Sequence, residues 1–228
     1  MSDEKEQASP DKGAEAAQES GNAGCDPLRN FAGRSRLDRI ADFLFEAGML
    51  RKTPRTGYQF LGSGAENVAE HSFRVALIAY VLASLCDADP MRAAMLGLIH
   101  DFHEARTGDF NYVNSIYNSS KQRLAMQHAL KGTGLSGALL PLWDEQNGEE
   151  SLEALLAADA DQLDLILNLV EERDLGNPYA RAWLEAALGR MRTDTGRELA
   201  ARITASDHTD WWFKGPDPKW WIKKDKGS

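Results

Sequence analysis

The chain has 228 residues, a formal charge of −9 and 43% apolar residues, enough for one globular domain with a substantial core. Its acidity argues against a general binder of phosphate backbones, so no nucleic-acid polymer is expected as a partner. The longest apolar stretch, Val75 to Cys86, is 12 residues, short of the about 20 that span a bilayer, so no membrane partner is expected either.

Residues 1–27 hold seven acids against two lysines and hardly any large apolar side chain. Such a segment cannot offset its ordering entropy by burial, and a disordered acidic tail is expected there. It has no basic stretch ahead of an apolar core, as a secretory signal would. Cys25 and Cys86 lie in unrelated contexts, so a reducing, cytoplasmic setting is expected. The main domain is expected over residues 28–206. Residues 207–228 form a C-terminal extension with two Trp-Trp pairs and, from Lys214 onward, five lysines.

Ser35 can cap a first helix with Leu37, Ile40, Phe43 and Leu44 on one side, ending at Gly48. Residues 51–67 read as a long loop, rich in glycine and basic residues, of the kind that is usually functional. A second helix is expected from Val68 to Cys86. Pro90 suits the first turn of a third, running to about Arg106 and broken by Thr107-Gly108-Asp109. Further helices are expected over 120–131, 135–147, 151–174, 178–191 and 194–206. No stretch alternates with period two, so the fold class is all-α, a compact multi-helix bundle.

His71 shares a helical face with Val75, Ile78, Ala79 and Leu82, and His100-Asp101 closes the face running through Ala93, Leu96 and Gly97. An ionisable group on a buried stripe is costly unless paired or metal-bound. A third helix adds Asp159, Asp161 and Asp164, so these residues are expected to converge on one cation. Histidine with carboxylate suits a divalent ion such as Mn, Fe, Co, Zn or Mg. His100 and Asp101 are sequential, so both reach one ion only near a helix end or with suitable rotamers. Periodicity leaves the closing acid open: the face through Leu155, Leu156, Leu163, Ile166 and Val170 favours Asp159. His103 reads as an exposed helix-end histidine, with a place behind the metal ligands as the alternative; His128 reads as a surface residue, and His208 opens the C-terminal extension with no recognisable motif.

Three segments carry a family resemblance: Glu66-Asn67-Val68-Ala69-Glu70-His71-Ser72, His100-Asp101-Phe102-His103-Glu104 with Thr107-Gly108-Asp109, and Ala158-Asp159-Ala160-Asp161-Gln162-Leu163. They resemble the HD-domain phosphohydrolase superfamily, in its 5′-deoxynucleotidase branch, over about residues 35–190. The resemblance implies an HD-domain bundle with the metal site between helices, and metal ligands at His71, His100, Asp101 and Asp161. It gives Glu104 the attacking water and sets Asp109 close to the substrate. A basic residue followed by proline two positions later matches Lys52 and Pro54, so Lys52, Thr53 and Arg55 are expected at the substrate. Thr53 stands where the bacterial enzymes carry tryptophan, which implies a relaxed sugar filter.

The activity so implied is metal-dependent release of phosphate from nucleoside 5′-monophosphates, preferably deoxy, by a homodimer. The alternatives are hydrolysis of nucleoside triphosphates or ppGpp on the same fold, and a noncatalytic binding module.

Overall fold

A computed structural model describes residues 31, 33–149 and 151–214; the acidic segment 1–27 and the second Trp-Trp pair lie outside them. The first helix, α1 (Arg36–Ala47), opens on a capping box in which Ser35 Oγ accepts from the Asp38 amide and Asp38 returns an oxygen to the Ser35 amide. Its inner side differs from the expectation. Leu37 and Leu44 are exposed, while Arg39 and Glu46 are buried. Arg39 donates to the carbonyls of Lys131 and Ala129 at 2.9 and 3.3 Å, and Glu46 pairs with Arg106 at 2.9 Å. Phe43 and Ala47 carry the apolar contact inward, with Phe43 stacked on Phe102 at 4.7 Å between centroids. Buried charges persist because each is paired.

Two short 3-10 turns follow, Gly48–Lys52 and Thr56–Phe60, so the expected loop is partly ordered. Among the described residues no strand forms; Pro54 and Asn67 make an isolated antiparallel bridge. Helix α2 (Val68–Ser84) is capped by Asn67 and α3 (Pro90–Ile99) by Asp89. They pack on each other and on α8 (Leu152–Asp174). The shared core includes Val75, Ala79, Leu82, Leu96, Leu163, Ile166 and Leu169. Gly97 lets α2 and α3 approach: a Cβ there would stand 3.2 Å from Val75 Cγ1 and 3.3 Å from Ala76 Cα.

The third helix was expected to reach Arg106, and it stops at Ile99. The His100 carbonyl accepts from the Trp143 indole at 3.0 Å instead of serving the amide four residues on. Residues 100–103 close with tighter bonds, Phe102 N to Ile99 O at 3.1 Å and Glu104 N to Asp101 O at 3.0 Å. A one-turn helix, α4 (Glu104–Thr107), then ends at Gly108, whose φ of 75° suits glycine. Helix α5 (Tyr112–Tyr117), capped by Asn111, has no counterpart in the sequence reading.

The remaining helices, α6 (Gln122–Leu130), α7 (Ser136–Gly148), α8, α9 (Ala180–Leu188) and α10 (Asp194–Ala205), fall within a few residues of expectation. A second apolar cluster joins Leu50, Val68, Ile99, Phe102, Met126, Leu130 and Trp143. The start of the extension is tied to the domain: Asp174 accepts from the His208 amide at 3.0 Å, ahead of the short helix α11 (Asp210–Phe213). No helix among the described residues is long and apolar enough to cross a membrane.

Candidate metal centre

The α2–α3 crossing and the inner face of α8 bring three segments to one point. His71 Nε2 lies 3.2 Å from His100 Nε2, 3.2 Å from Asp161 Oδ1 and 3.5 Å from Asp101 Oδ2, and His100 Nε2 is 3.1 Å from Asp101 Oδ2. Because α3 ends at Ile99, neighbouring residues 100 and 101 both turn to this point. Each imidazole is oriented from behind: His71 Nδ1 faces Asp164 Oδ2 at 2.7 Å, and His100 Nδ1 faces the Gly97 carbonyl at 2.7 Å. A proton on each Nδ1 leaves both Nε2 lone pairs directed at one another.

Two nitrogen lone pairs and two carboxylate oxygens at such range are unfavourable without a cation among them. The separations suit one: adjacent donors about 2.1 Å from an octahedral ion stand about 3 Å apart. Protonation chemistry says the same. Burial works against charge on His71, but its hydrogen bonds to Asp101, Asp161 and Asp164 outweigh this and hold its pKa well above 6.5. Burial likewise opposes ionised Asp161, yet His71, His100 and Arg55 bring it down to about 2. The donor chemistry therefore fits a divalent ion: ligand atoms of His71, His100 and Asp101 gather at one point, with Asp161 Oδ1 against His71 and with Asp164 and the Gly97 carbonyl behind the histidines.

Arg55 enters from the loop ahead of α2. Its guanidinium donates to Asp101 Oδ2 at 3.0 Å and stands 3.8 Å from Asp161 Oδ1. Glu104 is buried, with Oε2 unpartnered, within electrostatic reach of Asp101, Arg55 and His71. Burial, reinforced by the charges of Asp101 and Asp109, pushes its pKa up to about 9. Asp109 accepts from the Thr56 amide at 2.6 Å, which ties the segment after α4 to the turn carrying Arg55. Beside the cluster opens a cleft of about 200 Å³, with Arg55, Tyr58, Glu66, Asp109, Tyr112 and Trp183 among its lining residues.

The structure thus brings His71, His100, Asp101, Asp161, Arg55 and Glu104 together, with Asp109 at the cleft wall. It does not bring Lys52 or Thr53 to them. Lys52 is exposed and the Thr53 hydroxyl donates to the Met49 carbonyl at 3.3 Å. Asp159, favoured by periodicity, accepts from Arg192 N at 2.7 Å, Thr193 N at 2.8 Å and Thr193 Oγ1 at 2.6 Å, and so holds the start of α10. His103 and His128 are buried, not surface residues. His103 packs edge-on against Trp143, 5.7 Å between centroids. Sequence reasoning missed Arg74, Glu66 and Asn168, which stand behind Asp164; an arginine on the mostly apolar α2 was the available signal.

An all-α bundle with a His, His-Asp and Asp set at the crossing of its central helices defines a class. The chain belongs to the HD-domain family, whose model matches residues 47–203. It is 31% identical to the human 5′-deoxynucleotidase HDDC2 over 179 residues, 75% of this chain and 87% of that protein. It is 34% identical to the 5′-deoxynucleotidase of Erwinia tasmaniensis over 56% of this chain and 73% of the other. The crystal structure of a predicted metal-dependent phosphohydrolase from Magnetospirillum magnetotacticum superposes with a TM-score of 0.60. That protein is 25% identical, with coverage of 75% of this chain and 94% of the other.

Proposed function

We propose that this protein is a divalent-metal-dependent phosphomonoesterase that converts nucleoside 5′-monophosphates, deoxy forms among them, into nucleoside and phosphate. The observation that carries the reading is the convergence of His71 Nε2, His100 Nε2, Asp101 Oδ2 and Asp161 Oδ1 within 3.1–3.5 Å contacts, beside a paired arginine and a buried carboxyl. Relatives named 5′-deoxynucleotidase support the substrate class.

A divalent ion held by His71, His100, Asp101 and Asp161 would supply Lewis acidity toward the phosphoryl oxygens and the attacking water. Arg55 binds the phosphate and exchanges part of its pairing with Asp101 for phosphoryl oxygen. Glu104, with an unpartnered oxygen, orients the water; a cation beside Asp101 would offset the negative charge that raises its pKa and so leave it ionised to accept the water's proton as oxygen attacks phosphorus. The ester oxygen leaves with the nucleoside. Asp109 keeps the Arg55 turn against the site and lines the cleft where the nucleoside sits. Lys52 and Thr53 lie outside this cluster.

A phosphate-release screen over dAMP, AMP, dATP and ppGpp with Mn, Co, Mg and Zn tests this. Turnover of dAMP without cleavage of dATP or ppGpp is the expected result; the reverse pattern overturns it. Equal turnover of AMP and dAMP is expected if Thr53 relaxes sugar selection. A homodimer and a cytoplasmic setting belong to the same proposal. Exposed Phe73, Leu77, Met91 and Leu98 offer an apolar face for a second copy, and light scattering reads the mass.

A further inference from the structure

We propose that Asp164 is a positioning residue that fixes the proton of His71 on Nδ1, so that Nε2 presents a lone pair to the cation, and that Arg74, Glu66 and Asn168 hold Asp164 in place. This rests on the metal-centre reading above and concerns residues other than the four ligands proposed there. Asp164 and His71 are almost wholly buried, and the Nδ1–Oδ2 separation is 2.7 Å. The other oxygen of Asp164 pairs with Arg74 Nε, and Arg74 also donates to the Asp164 carbonyl at 3.3 Å. Arg74 reaches Asn168 Oδ1 at 2.6 Å and Glu66 Oε1 at 3.4 Å, while Asn168 Nδ2 donates to Glu66 Oε2 at 3.1 Å.

The chemistry follows from proton counting. A neutral imidazole carries one N–H, and a carboxylate at Nδ1 accepts that proton and so leaves Nε2 bare. A carboxylate this deep is retained as an anion only with a counter-charge, which Arg74 supplies. Glu66 extends the arrangement forward, because its backbone carbonyl accepts from the Arg55 amide at 2.9 Å. One connected set of side chains therefore ties a metal ligand to the turn that carries the phosphate-binding arginine. Replacing Asp164 by asparagine keeps the shape but lets an amide N–H face Nδ1, which drives the imidazole proton to Nε2.

The test is titration of the metal-stripped full-length protein with Co²⁺, followed by absorbance. Asp164→Asn is expected to weaken Co²⁺ binding by about 10–100-fold while the far-UV dichroism stays that of the wild type. The same change in the His71→Ala background is expected to have no effect, because its path runs through His71. A merely structural role would lower affinity in both backgrounds and overturns the proposal, as does unaltered affinity in the Asp164→Asn protein. If Asp164→Asn does not fold, Arg74→Gln carries the same cycle, with weaker binding expected only where His71 is intact. Absence of Co²⁺ binding by the wild type sinks the metal-centre reading itself, which separates the two failures.

Discussion

Asp159 and Asp161 stand two residues apart on α8 and turn their carboxylates to different partners. Asp159 takes the Arg192 and Thr193 amides at 2.7 and 2.8 Å, and Asp161 lies 3.2 Å from His71 Nε2. Two residues on a helix are separated by about 200°, so one acid can serve the α9–α10 connection and the other the α2–α3 crossing. The first is a structural clamp; the second faces His71.

Substitution of the two should therefore separate stability from metal binding. Asp159→Asn is expected to cost about 1–3 kcal/mol, since a fully buried acceptor of backbone amides is exchanged for one with donors it cannot place. Asp161→Asn is expected to lower metal content after dialysis, which Asp159→Asn leaves unchanged. Thermal unfolding and elemental analysis of both variants check this; parallel losses would show that both acids serve the ion.

Glu104 makes the stripped protein sensitive to pH. Its folded pKa is raised from 4.5 to about 9 by burial and by Asp101 and Asp109, so the folded state binds the extra proton. Stability from this group is complete below pH 4.5 and is lost as pH rises toward 9. Glu104→Gln is expected to flatten that part of the melting curve against pH, and to reduce turnover by about 10²–10⁴-fold with metal retained. A variant with an unchanged pH slope would remove Glu104 as its source.

Asp161 acts in the opposite direction. Its folded pKa is depressed to about 2, so its contribution is present above pH 3.8 and is lost as pH falls through 2. Unfolding in acid should therefore begin later in the wild type than in Asp161→Asn, as followed by dichroism between pH 5 and 2.

Arg55 and Lys52 should differ sharply. Arg55→Met removes charge-assisted bonds worth about 1.5–3 kcal/mol, so KM for the monophosphate is expected to rise about 10–100-fold. Lys52→Ala, at an exposed position, is expected to change KM less than about twofold. Steady-state kinetics with dAMP decides it, and equal losses would return Lys52 to the phosphate.

Gly97 sets the spacing between α2, which bears His71, and α3, which His100 directly follows. A Cβ at this position meets Ala76 Cα at 3.3 Å, and backbone cannot yield as a side chain can. Gly97→Ala is expected to cost about 1–3 kcal/mol and to weaken metal affinity together with stability, read by thermal unfolding with and without Co²⁺.

Periodicity and capping signals in the chain alone determined most of the bundle, because α2, α8 and α10 follow from local residue order: Asn67, Ser151 and Thr193 cap helices where such residues should. Polar residues on apolar stripes likewise marked His71 and His100-Asp101, since burial of charge is costly wherever it occurs. Local order misled at α1, where exposed leucines and a buried Arg39 reverse the usual preference because carbonyls of residues 129 and 131 await the guanidinium.

Tertiary contact decided the rest. Trp143 claims the His100 carbonyl from 43 residues away, and that bond helps end α3 where adjacent His100 and Asp101 can both reach one ion. Thr193 captures Asp159 and leaves Asp161 for His71. The choice between two acids of the same type lies in which partner the folded chain brings near each, and helical spacing alone does not contain it.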